Sequence, residues 1–68
     1  MKSLQIELKD LHEYRVDEAV LFARGKSYNG VTKELRCTFY GAMQVWQDGK
    51  IFREFTQELP AVECFNEL

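Results

Sequence analysis

The sequence predicts an α+β domain: an antiparallel β-meander of three to four strands packed against one C-terminal amphipathic helix at about residues 58–68. Three observations carry this. Asn29-Gly30 in "SYNGVT" and Asp48-Gly49 in "WQDGKI" are two-residue β-hairpin signals, because a type I′ turn needs positive φ at both central residues and these pairs tolerate it. After Thr56 the apolar spacing changes from two to three and four, through Leu59, Val62, Phe65 and Leu68 with Ala61 and Cys64 beside them. The 68 residues hold no repeat, low-complexity tract or linker, so a single domain over 1–68 is expected.

Taken in order, "SLQIELK" alternates Leu4, Ile6 and Leu8 against polar neighbours and reads as a strand, although Leu4, Leu8 and Leu11 also suit a helix. A turn around Asp10 to Glu13 follows, with Tyr14 and Val16 leading to the next strand. "DEAVLFAR" is compatible with a helix starting at Asp17, but pairing with the following strand favours β structure. A two-residue loop at Asn29-Gly30 sets Tyr28 against Val31, Phe22 against Cys37, Val20 against Phe39 and Arg24 against Leu35, with apolar residues on one face. Its flaw is Lys26 opposite Lys33, a like-charge pair expected at a solvated tip.

The odd-numbered residues Leu35, Cys37, Phe39, Gly41, Met43 and Val45 keep one parity and suggest a long central strand bending near Gly41. At Asp48-Gly49 the same arithmetic pairs Val45 with Phe52 on one face, and Trp46 with Ile51 and Ala42 with Phe55 on the other. In the helix, Pro60 fits the first turn, where its missing N–H is not needed, and Glu58 suits the positive dipole end.

A chain this short buries only about 60% of its unfolded surface, so a disulfide, a metal or a partner subunit is an expected supplement. Met1-Lys2 is followed by a segment too charged for a secretory leader, which points to a reducing, cytoplasmic setting for Cys37 and Cys64. Both cysteines read as core-facing. Cys37, Cys64 and His12 lack metal-ligand spacing, so no metal and no cofactor is expected. No apolar run approaches membrane-spanning length.

Catalytic constellations are equally thin, and a non-enzyme is expected. His12 lies among charged residues with no sequence-adjacent nucleophile, and Asp17 and Glu18 diverge on any regular backbone. "GKSYNG" lacks the earlier glycine of a phosphate-binding loop.

Charge is lopsided. Arg24, Lys26, Lys33 and Arg36 face Glu34 alone, whereas residues 54–68 carry four glutamates and no base. A basic hairpin with Tyr28 at its tip suits nucleic acid, but the isoelectric point of about 5.3 argues against it. Were the first segment helical, the element order would resemble in outline the double-stranded-RNA-binding domain. That family presents a Lys-Lys motif where this chain reads "TQELPAVE", so no residue role carries over.

Counting faces gives the leading functional expectation. One helix covers one apolar sheet face, which leaves Leu21, Tyr40, Trp46, Ile51 and Phe55 on the other. Such a patch implies a small protein–protein interaction module, expected as a homodimer through the face bearing Trp46. The alternatives are a nucleic-acid-binding protein using Arg24, Lys26, Tyr28, Lys33 and Arg36, and a monomer whose N-terminal segment covers the second face.

Overall fold

The computed structural model describes residues 3–10, 14–16, 19–38 and 40–68. His12, Asp17, Glu18 and Phe39 therefore lie outside the described residues. The architecture is the expected α+β meander, with five strands: β1 (Tyr14–Val16), β2 (Ala19–Lys26), β3 (Thr32–Thr38), β4 (Met43–Gln47) and β5 (Lys50–Phe55). They are antiparallel in the order β1-β2-β3-β4-β5, and α1 (Glu58–Glu67) packs on one side.

The central strand expected from Leu35 to Val45 is instead two strands and a turn. Thr38 donates its N–H to the Ala42 carbonyl at 2.8 Å, and Gly41, at φ 88°, donates to the Thr38 carbonyl at 3.0 Å. The first hairpin closes in the same way: Ser27 N–H to the Val31 carbonyl at 2.9 Å, and Gly30 N–H, at φ 82°, to the Ser27 carbonyl at 3.0 Å. Each turn thus ends on a left-handed glycine, the pattern of a three-residue loop with a glycine bulge rather than a two-residue loop. A hydroxyl reinforces each closure, through Ser27 Oγ to the Val31 carbonyl and the Ala42 N–H to Thr38 Oγ1.

The extra loop residue moves the β2–β3 register by one. Arg24 faces Glu34, Lys26 faces Thr32 and Gly25 faces Lys33, in place of Arg24 with Leu35 and Lys26 with Lys33. The like-charge flaw disappears, and an ion pair replaces it. A bulge between Leu21 and Ala23 then restores the apolar pattern, pairing Val20 with Cys37.

Asp48-Gly49 does form the expected tight turn, with φ of 54° and 77°, and Trp46 faces Ile51. Beyond that pair a second bulge intervenes, so Val45 faces Arg53 and Met43 faces Phe55. Phe52 is the displaced residue; expected in the core opposite Val45, it is 44% exposed. Phe55 crosses to the helix side, where it packs against the core cluster rather than joining Trp46.

The core lies between the sheet and α1, formed by Leu35, Met43 and Val45 below Ala61, Val62 and Phe65. Leu59, expected in the helix stripe, is exposed, whereas Cys64 and Leu68 pack on the cluster. Pro60 occupies the first turn as expected.

Lys33 is the unexpected core residue. Its side chain is fully buried over the Phe65 ring, with Nζ 4.2 Å from the ring centroid. The ammonium donates to Ser3 Oγ, to the Leu4 carbonyl at 2.8 Å and to the Phe65 carbonyl at 2.6 Å. It thereby joins β3, the N-terminal segment and the negative end of the helix dipole. All three donors are used.

The N-terminal segment is neither strand nor a cover for the Trp46 face. Residues 3–7 run irregularly along the helix side into a 3₁₀ turn at Leu8–Asp10. Asn66 grips Ile6 at both backbone groups, accepting its N–H and donating to its carbonyl, each at 2.8 Å. Gln5 Nε2 donates to the Asn66 carbonyl at 2.7 Å, and Leu4 N–H to the Lys26 carbonyl at 3.0 Å. Leu4 lies so close over Gly25 that an added Cβ there would stand 2.8 Å from the Leu4 Cβ.

Two outcomes are expected. Gly25→Ala displaces Leu4 and lowers stability by about 1–3 kcal/mol, with faster amide exchange in residues 3–7 as the readout. Lys33→Met removes the shared donor of Ser3 Oγ and the Leu4 and Phe65 carbonyls and costs about 3 kcal/mol in urea denaturation. Burial holds the Lys33 pKa below its ordinary 10.5. Between the folded value and 10.5 the unfolded chain binds more protons, so this group's stability contribution rises with pH in that window; Lys33→Met abolishes the rise.

Candidate functional site

The side of the sheet away from α1 is organised by register into two rows. Arg24, Glu34, Trp46 and Ile51 form one; Leu21, Arg36, Gln44 and Glu54 form the other. The rows lie two residues apart along β3 and β4 and, because of the bulges, three apart along β2 and β5, within reach of long side chains.

Glu34 is the hinge of this face. It is buried, and its two oxygens accept from Arg24 Nε and from an Arg36 terminal nitrogen, each at 2.6 Å. The Arg36 guanidinium carbon lies over the Trp46 ring, 4.3 Å from its centroid. Trp46 Nε1 donates to Gln44 Oε1 at 3.0 Å, Gln44 Nε2 donates to Glu54 at 2.8 Å, and the Tyr40 hydroxyl donates to the same carboxylate at 3.2 Å. The chain of contacts runs from β2 to β5. Arg36 Nε is buried with no acceptor among the described residues.

Of the five residues expected at an interface, three stay on this face with surface to offer. Tyr40 is 62% exposed, Ile51 53%, and Trp46 is half-buried under Arg36. Leu21 is on the same face but already buried at 8%, and Phe55 is on the other side. Sequence reasoning assigned Arg36 to a nucleic-acid-binding hairpin and missed Glu34, Gln44 and Glu54. A signal existed in the i, i+2 spacing of Glu34 with Arg36 and of Gln44 with Trp46, once the register is known.

The basic hairpin does not assemble. Lys33 points into the core, while Arg24 and Arg36 are held by Glu34. Lys26 and Tyr28 remain at the surface, the former bonded to Thr32 Oγ1 at 3.1 Å, and Arg24 is exposed but paired with Glu34. A phosphate-binding cluster needs several unpaired cations.

A second concavity, of about 430 Å³, lies between β5 and α1. Its apolar lining includes Phe52, Phe55, Cys64 and Leu68. Burial pushes the Cys64 thiol up; Arg53 pulls the other way and Glu67 adds to the rise, so the thiol is protonated and a poor nucleophile at neutral pH. Neither Cys37 nor Cys64 is part of a disulfide. No cluster of three or more metal-ligating side chains occurs among the described residues, and no helix there is long and apolar enough to cross a membrane.

No protein-family model, no curated protein and no solved structure matches the chain. The fold itself defines a small antiparallel meander with one helix-covered face and one face carrying a Trp–Arg stack.

Breaking the hinge has a clear readout. Glu34→Gln frees both guanidinium groups and is expected to lower stability by about 1.5–3 kcal/mol. Release of Arg36 from the ring should shift Trp46 fluorescence to the red.

Proposed function

We propose that the protein is a small non-enzymatic interaction module that pairs with a second copy of itself through the face bearing Trp46. The observation that carries this reading is the self-complementarity of that face. Arg24 and Arg36 balance Glu34 and Glu54, so these two rows carry no net charge. A two-fold axis lying in the interface, crossing the strands between the two rows, sets Glu34 of each copy over Arg36 of the other. The same operation brings Trp46 over Gln44 and Ile51 over Glu54, which buries both apolar side chains.

A closed pair of this kind is isologous: each contact occurs twice, and no face is left to propagate. Tryptophan, tyrosine and arginine are the residue types that dominate binding energy at such surfaces. Pairing would also give the domain the supplement its size requires, since a chain of this length has little core to spare. In a reducing, cytoplasmic setting Cys37 and Cys64 stay thiols, so association rather than a disulfide supplies that stability.

Solution mass tests the reading. Light scattering should give twice the chain's 8.0 kDa, and both Trp46→Glu and Ile51→Lys should give folded monomers. Ile51 is exposed in the single chain, so its replacement separates loss of pairing from loss of folding. A wild-type monomer, or a dimer that survives Ile51→Lys, overturns it.

A further inference from the structure

We propose that the free edge of β5, together with the groove between β5 and α1, accepts an extended basic segment of another protein as a sixth strand. The meander order leaves β5 paired with β4 alone, and no backbone hydrogen bond reaches its other edge among the described residues. An unpaired strand edge is a row of donors and acceptors that a second strand completes. Here the edge is six residues long and Lys50 through Glu54 are all exposed.

The groove beside that edge provides side-chain selection. In an added strand successive side chains alternate, so every second one enters the groove over Phe52 and Phe55 while the others lie beside Ile51 and Glu54. The bulge at Phe52 matters, because it leaves that ring 44% exposed on the groove wall instead of in the core.

Charge decides the occupant. Glu63 and Glu67 line the helix wall and Glu54 stands on the opposite side of the strand, against Arg53 as the one base within the groove lining. An incoming strand whose lysine or arginine residues enter the groove, their stems over Phe52 and Phe55 and their charges reaching Glu63 and Glu67, and whose alternate apolar residues lie beside Ile51, satisfies both. A second β5 is a poorer fit, since each copy brings its own Glu63 and Glu67 to the junction. The groove lies on the helix side, away from the Trp46 face, and the added strand meets that face only along its Ile51–Glu54 margin.

The test uses the intact chain and a blocked nonapeptide of alternating valine and lysine, followed by amide NMR shifts and hydrogen exchange. Shifts and added protection are expected at residues 50–55, with affinity falling at least tenfold in the Glu63→Lys/Glu67→Lys double variant. Both glutamates are exposed, so the variant should fold. A valine–glutamate peptide should not bind, and a peptide of the same positive charge with proline replacing each valine should bind at least tenfold more weakly. The proposal fails if the proline peptide binds equally well, if perturbation is confined to the Trp46 face, or if nothing is seen at roughly 1 mM peptide.

Discussion

The structure depends on one buried cation. Lys33 sits where a meander of this size would ordinarily place an aliphatic residue, and its ammonium is tolerated because three acceptors converge on it. Those acceptors come from the N-terminal segment and from the last turn of α1, two parts of the chain that share no regular secondary structure with β3. Charge desolvation is costly, and each of the three bonds offsets part of it. Without the ammonium, the Phe65 carbonyl at the helix end would keep the Leu68 N–H at 3.3 Å and the Leu4 carbonyl the Ser3 hydroxyl at 3.4 Å, each a longer bond than the one lost. The same site therefore terminates the helix, anchors residues 3–7 and closes one end of the core.

Gly25 is the counterpart of Lys33 across the β2–β3 ladder, and the pairing explains both residues. A side chain at position 25 would occupy the volume that Leu4 takes, and Leu4 must sit there for its carbonyl to meet Lys33. The helix side is consequently filled in two steps, first by α1 and then by the N-terminal segment clamped through Asn66. Nothing among residues 3–10 is left to cross to the other face. That face remains the one on which Trp46, Arg36 and Tyr40 meet solvent or a partner.

Two bulges share out the aromatic residues. In β2 the displaced residue is Phe22, which still packs against the core cluster; in β5 it is Phe52, which does not. The difference follows from position. β2 is an inner strand, paired on both edges and overlain by the N-terminal segment at Leu4, while β5 is an edge with open space beside it. A bulge also changes parity beyond it, which carries Phe55 to the helix side and leaves Glu54 on the open face to receive Gln44 and Tyr40. The open face is thus polar at its acidic edge and aromatic at its centre, a composition that favours specific over indiscriminate association.

Local chemistry in the sequence was enough to read the α+β class, the C-terminal helix with Pro60 in its first turn, the tight turn at Asp48-Gly49 and the pairing of Trp46 with Ile51. Each rests on a few neighbouring residues: turn propensity, helical spacing, or a register counted from an adjacent loop. The tertiary structure alone decided the remainder. A one-residue difference in the first loop exchanges Arg24–Leu35 for Arg24–Glu34, and no residue within that loop announces it, since Asn29-Gly30 suits both loop lengths. Bulges at Phe22 and Phe52 depend on what must be packed several residues away. Lys33 looked like a surface charge because its three acceptors are about 30 residues distant in the chain, and backbone carbonyls carry no sequence signature. Patterning shows which elements form; which side chains they bring together is fixed by register, and register is set by packing across the whole molecule.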